Sequence, residues 1–138
     1  MQRNTQQRDA IRQALAGAGR PLSPQEILTM ARAHVPVLGL ATVYRTIKAL
    51  KEEQLVVAVD VPGEPARYEP SGKAHHHHFL CRTCNRLFEL PGCPVHLPKV
   101  ISSGHEVDGH ELTIFGRCNE CRTPPRRRPT RRSLARQR

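Results

Sequence analysis

Two C-x-x-C pairs, Cys81-Arg82-Thr83-Cys84 and Cys118-Asn119-Glu120-Cys121, carry the most specific chemistry in this chain. Within each pair the short loop brings two thiolates near one point. Together the pairs complete a tetrahedral four-sulfur set, the geometry of a closed structural zinc. A single pair would be equally compatible with a redox motif. The interval from Cys84 to Cys118 is longer than in a compact zinc ribbon and leaves room for a strand, a helix and two further strands. Cys93 is left over and reads as a buried or free thiol rather than a ligand.

Immediately before the first pair lies Ala74-His75-His76-His77-His78-Phe79-Leu80. The run is internal and merges into the segment holding Cys81, so it does not read as a purification tag. If extended, its side chains alternate: His75 and His77 face one way, His76 and His78 the other. One strand could thus feed two separate metal sites. A polar segment with incidental metal affinity would also account for the run. Glu69, Glu89, His96, His105 and His110 follow or precede it at useful places.

These residues need elements to hold them, and the chain is short. Its 138 residues suit one ordinary domain or two small ones, and small modules need a metal, a disulfide or a partner subunit. With two Tyr, three Phe and no Trp, the core must be aliphatic. The cysteine set is the expected staple, because zinc binding contributes directly to folding.

Ahead of the metal segment, Ile11, Ala14, Leu15 and Ala18 fall on one face of a helix over Thr5–Ala18. Gly19-Arg20-Pro21 stops it. Ser23-Pro24-Gln25-Glu26 supplies a cap, a proline at the first helical position and a Glu to complete a capping box. The second helix buries Ile27, Leu28 and Ala31 and is broken from His34 to Gly39. The third runs from Leu40 to Glu53, with Val43, Ile47 and Leu50 inward and Ala41, Tyr44, Arg45 and Lys48 outward. That outer face suits a DNA major groove, since Arg can bond guanine edges or phosphate and Tyr can touch a thymine methyl; an ordinary solvated face would look similar. Leu55–Val59, the turn Pro62-Gly63-Glu64-Pro65 and Ala66–Tyr68 then form a hairpin. Three short helices and a hairpin describe the winged form of the helix-turn-helix.

The formal net charge of +10 is unevenly spread. Residues 124–138 hold seven Arg and no acid; without them 15 basic side chains stand against 12 acidic, about +3 for the remainder. This tail is expected to be disordered and either to add salt-sensitive phosphate attraction or to be inert. No apolar run approaches a bilayer span and no signal-peptide core is present, so the expectation is a cytoplasmic protein whose cysteines bind metal.

From about residue 5 to 121 the sequence resembles the ferric uptake regulator (Fur) family. The segments that carry the likeness are Gly39-Leu40-Ala41-Thr42-Val43-Tyr44-Arg45-Thr46, the His75–His78 run before Cys81-x-x-Cys84, and Gly116-Arg117-Cys118-x-x-Cys121. The resemblance implies an α+β fold: a winged-helix DNA-binding domain at 1–70, a metal-binding α/β dimerisation domain at 71–121, and the tail at 122–138. It implies a homodimer that binds a palindromic, A·T-rich operator when metal locks a closed shape, repressing metal-uptake or homeostasis genes. The implied structural zinc ligands are Cys81, Cys84, Cys118 and Cys121. The implied regulatory hinge site is Glu69, His76, His78 and Glu89, and a second site is His75, His77, His96 and His110. The candidate DNA-contacting residues are Arg8, Thr42, Tyr44, Arg45 and Lys48.

Two departures from the family pattern stand out. A hinge His expected just before the second helix is absent, because the matching segment is Arg20-Pro21-Leu22; His34 is the one imidazole available in the first domain. The second site is all imidazole, which favours zinc over manganese. The regulatory ion is therefore expected to be Fe2+ by family default or Zn2+, with Mn2+ and Ni2+ open, beside a structural Zn2+. Glu89 stands where peroxide-sensing relatives favour Asp, which argues against peroxide sensing. The alternatives are a zinc-uptake regulator of the same family and, from other classes, a zinc-dependent enzyme or a zinc-buffering protein. A catalytic zinc needs an open position and a general base, yet no compact H-E-x-x-H or H-x-E motif is present.

Overall fold

The computed structural model describes residues 2–122. The Arg-rich segment from 124 onward, with the expectations attached to it, lies outside the described residues. Three helices come first: α1 (Gln2–Gly17), α2 (Pro24–Ala31) and α3 (Leu40–Glu52). α1 buries Ala10, Ile11, Ala14 and Leu15, one stripe at helical spacing, and begins earlier than its apolar face requires. α2 starts at the predicted device: the Ser23 side chain accepts from the Glu26 N–H, and the Glu26 carboxylate accepts from the Ser23 N–H. α3 has Gly39 as its N-cap with no side-chain cap bond, so packing of Val43, Ile47 and Leu50 holds it. These three residues are almost wholly buried and join Ile11, Leu22, Ile27 and Leu38 in one core. Burying each such side chain contributes about 1.5–3 kcal/mol.

The chain then forms the hairpin β1 (Val56–Val59) and β2 (Arg67–Pro70), paired antiparallel with Val57 opposite Glu69. Leu22 adds a bridge to the free side of β2, exchanging both backbone bonds with Tyr68 at 2.8 and 2.9 Å. The wing is thereby fastened back to the loop between the first two helices.

A second sheet has the order β4–β3–β5, with β3 (His76–Cys81) central, β4 (Leu87–Pro91) antiparallel to it and β5 (Thr113–Gly116) parallel. The parallel pairing requires a crossover, and residues 92–112 provide it. The helix for which this interval had room does not form among the described residues. The crossover carries instead a bridge between Val100 and Glu106. Pro94 and Pro98 explain the difference: each lacks an N–H, and each restricts the residue before it.

The two sheets touch. Val61, just after β1, packs with Leu80 of β3 and Leu87 of β4 in a small buried cluster that crosses the boundary expected at residue 70. Beside it Arg67, 3% exposed, donates to the Asn85 carbonyl and pairs with Glu64 at 3.7 Å. Nothing in the spacing of Arg67 signalled this role; only the approach of the two sheets creates it.

Candidate metal centres and nucleic-acid interface

The four cysteines of the C-x-x-C pairs converge. Cys81 ends β3, and the turn after it is closed by the Asn85 N–H on the Cys81 carbonyl at 2.8 Å. Asn85 takes a left-handed conformation, φ 60°, which Asn tolerates better than most residues. This turn swings Cys84 back over Cys81. Cys118 and Cys121 arrive from the end of β5, where a side chain on Gly116 would come within 3.2 Å of the Phe79 ring. All four sulfurs lie within 4.8 Å of one another, and Cys84 and Cys118 are 3.9 Å apart. Bonds of about 2.3 Å to a tetrahedral zinc would place sulfurs about 3.8 Å apart, so the set could hold a structural zinc as it stands. The Cys84 N–H, pointing at the Cys81 sulfur, is the main cause that pulls this thiol down to about 6, with the Cys118 N–H assisting against burial. Cys121 is pushed up to about 12, chiefly by its hydrogen bond to Cys118 and also by burial. The thiolate form is thus favoured at Cys81, and metal binding at such a set is coupled to proton release.

The predicted alternation of the His run is realised. On one face of β3, His76 and His78 meet Glu69 of β2: His76 Nε2 is 2.8 Å from Glu69 Oε1, and His78 Nε2 is 3.5 Å from Oε2. Burial by itself would raise the Glu69 carboxyl, but His78 and His76, with the charge of Lys73 nearby, hold it down at about 2. His76 is lowered by burial yet raised more by the Ala74 carbonyl and by Glu69, and its net shift is upward. His78 Nε2 is buried, and its approach to Glu69 at 3.5 Å is too long and poorly aligned for a good hydrogen bond. A buried imidazole nitrogen so weakly satisfied, beside a carboxylate and a second imidazole, fits a metal ligand better than a structural side chain. Glu89, expected in the same set, is outside it. It pairs with Lys73 at 2.9 Å, and Lys73 also reaches Glu69 at 3.4 Å. Lys73 escaped the sequence reading because a Lys between His and Glu gives no spacing signal. His34 does not substitute for the missing hinge imidazole here; it borders a different cleft, with Gln6, Asp9 and Gln13.

On the opposite face, His75, His77 and His110 gather as expected, but His96 does not join them. The fourth member is Cys93, a free thiol as expected, which is exposed and lies against two of the imidazoles. His96 sits three residues farther along the irregular crossover and is exposed. Burial, followed by the neighbouring His75 and His110, lowers the pKa of His77 and favours the neutral ring that a metal requires.

The outer face of α3 presents Ala41, Tyr44, Arg45 and Lys48 to solvent, with Tyr44 52% exposed. Thr42 and Arg45, joined by a 3.1 Å hydrogen bond, line a cleft of about 550 Å³ that α1 completes with Asn4, Gln7 and Arg8. Arg8 is engaged at the rim by both carboxylate oxygens of Glu53.

A sequence model described as the Ferric uptake regulator family matches residues 2–115. The chain is similar to the Ferric uptake regulation protein of Bacillus subtilis, at 31% identity over 124 residues, covering 85% of this chain and 83% of the relative. To the protein of the same name from Campylobacter jejuni it is 26% identical over 122 residues, covering 85% and 78%. The solved Helicobacter pylori ferric uptake regulator, described as having three functional metal binding sites, superposes with a TM-score of 0.62 at 26% identity, covering 83% of this chain and 79% of that one. Members of this family are transcriptional regulators, which sets aside the zinc-enzyme alternative. With its winged helix, its four-cysteine cluster and its His-rich central strand, the chain belongs to the ferric uptake regulator family.

Proposed function

We propose that this protein is a metal-dependent repressor, acting as a homodimer on a palindromic, A·T-rich operator of metal-uptake or homeostasis genes. The observation that carries the reading is the meeting of Glu69 with His76 and His78. Glu69 belongs to the last strand of the wing, and the two imidazoles belong to the central strand of the second sheet. A ligand held by all three ties the DNA-reading unit to the rest of the chain. When bound, a divalent ion supplies charge that two imidazoles and one carboxylate satisfy, a donor set that Fe2+ accepts. Ordering of the wing before DNA arrives reduces the entropy lost on binding, so ion and operator reinforce one another. The zinc set of Cys81, Cys84, Cys118 and Cys121 serves structure, and the second group around His77 is a further metal site. Tyr44, Arg45 and Lys48, with Thr42 and Arg8 beside them, face the DNA.

Fe2+ is the sensed ion on this reading. Zn2+ is the second reading, favoured by the thiol beside His77 and His110. Gel shifts on a promoter of metal-uptake genes, with chelator and with each of Fe2+, Zn2+, Mn2+ and Ni2+, test the proposal. Glu69→Gln should abolish the metal response, and Arg45→Ala should weaken binding by about 1–3 kcal/mol. Operator affinity that ignores every ion would overturn it.

A further inference from the structure

The fourth member of the second group follows from a turn. β4 ends at Pro91, and Gly92, with φ 77°, reverses the chain through a conformation that glycine adopts freely. Cys93 is thereby folded back towards the central strand. Its sulfur lies 3.2 Å from His77 Nε2 and 3.1 Å from His110 Nε2, and those two nitrogens are 3.2 Å apart. The His75 ring stands edge-on to both, with centroids 4.6 Å from His77 and 4.9 Å from His110. One ligand atom from each of the four residues falls within a 4.8 Å span.

Tetrahedral zinc with Zn–N of about 2.05 Å and Zn–S of about 2.3 Å separates neighbouring donors by about 3.3 Å for two nitrogens and about 3.6 Å for nitrogen and sulfur. The nitrogen–nitrogen distance matches its edge, and the two nitrogen–sulfur distances fall about 0.4–0.5 Å inside theirs, so a small outward shift of the sulfur would complete the tetrahedron. Without an ion the same contacts are hydrogen bonds among two imidazoles and a thiol, none of them to a charged partner. His77 is 1% exposed, and its Nε2 faces a sulfur and another imidazole nitrogen rather than a carboxylate or a backbone carbonyl. A buried polar nitrogen in such company is a donor set in search of a cation.

We propose that Cys93, and not His96, completes a zinc site with His75, His77 and His110, giving three imidazoles and one thiolate. The thiol gives up its proton to solvent as Zn2+ binds, so the site carries a single positive charge and closes at four ligands. The sulfur donor separates zinc from Mn2+ and Fe2+ more sharply than four imidazoles would. This inference concerns metal binding alone; it does not depend on operator recognition, and a failed gel shift would leave it standing.

The test uses the full chain with its four-cysteine set filled by zinc, titrated with Co2+ and followed by absorption. A thiolate-to-Co2+ charge-transfer band in the near ultraviolet is expected to grow with the second group's occupancy. Cys93→Ala should abolish that band and weaken zinc at this group by at least about a hundredfold, more than the loss of an outer partner would. Because Cys93→Ala keeps the other four cysteines, its signal is the baseline that exchange at their site contributes, and the band of the second group is read as the wild-type excess over it. Cys93→His should keep tight zinc binding without the band, which separates loss of a ligand from loss of the fold. His96→Ala should change neither band nor affinity. A wild-type titration without the band, a band undiminished in Cys93→Ala, or loss of zinc in His96→Ala each overturns the proposal.

Discussion

Arg67, buried in the wing, donates to the backbone carbonyl of Asn85, the residue that turns the chain after Cys84. The same guanidinium pairs with Glu64, whose carboxylate also accepts from the Asn85 amide. The wing and the cysteine turn are thus joined by a cation as well as by Val61, Leu80 and Leu87. A hydrogen bond from a charged donor in a site shielded from water is worth about 1.5–3 kcal/mol. Arg67→Met leaves the Asn85 carbonyl without this donor. It is expected to lower stability by about 2 kcal/mol while four-cysteine zinc content stays at one per chain, as read by denaturant unfolding and metal analysis.

Removal of zinc should unfold the second sheet before the helices. The apolar cluster there is small, whereas the core built on α1, α2 and α3 holds twelve buried residues, Leu22, Leu38 and Val56 among them. Cys118→Ser, or a strong chelator, is expected to abolish the β3–β5 pairing and leave the helical signal largely intact. Hydrogen exchange resolved by residue checks this: early loss of protection across His76–Cys81 and Thr113–Gly116 is the expected outcome.

Lys73 holds two carboxylates that a divalent ion would also seek. Its pairs with Glu69 and Glu89 are partly exposed, so together they are worth about 1 kcal/mol. Lys73→Met is expected to tighten divalent binding at Glu69, His76 and His78 by roughly fivefold. Calorimetric titration of the wild type and the variant, with the cysteine site filled beforehand, measures the difference.

The cap of α2 predicts a pH dependence. Burial would raise the Glu26 carboxyl, but the Ser23 N–H and then Arg20 outweigh it and shift it below its ordinary value. A carboxyl depressed in the folded state adds stability above its unfolded pKa of about 4.3. That contribution is lost as the pH falls through the lower folded value. Glu26→Gln should therefore be less stable than wild type by about 1 kcal/mol at neutral pH, with the gap closing in acid. Paired urea melts across the acid range check the sign.

Local patterns were enough for the helices, the hairpin and the cysteine site. Ile11, Ala14 and Leu15, then Val43, Ile47 and Leu50, repeat at helical spacing, and Ser23 with Glu26 marks a helix start; each signal lies within a few residues of what it specifies. The same holds for the alternation that sends His75 and His77 one way and His76 and His78 the other, since the period of a strand is a property of its backbone. The resemblance named Glu69 as the partner of His76 and His78, and the structure brings these three together. Partners set by the crossover and by the meeting of the sheets were not legible. Cys93 was visible as an odd cysteine, but whether it or His96 reaches His77 depends on the reversal at Gly92 and the prolines that keep the crossover irregular. The pairing of Glu89 with Lys73 and the burial of Arg67 against Asn85 likewise arise only when two sheets distant in sequence come into contact. Sequence alone determined which donors this protein owns and which face of the central strand each His of the run occupies. Tertiary structure decided which of them meet, because loop closure and packing, unlike backbone periodicity, are not local.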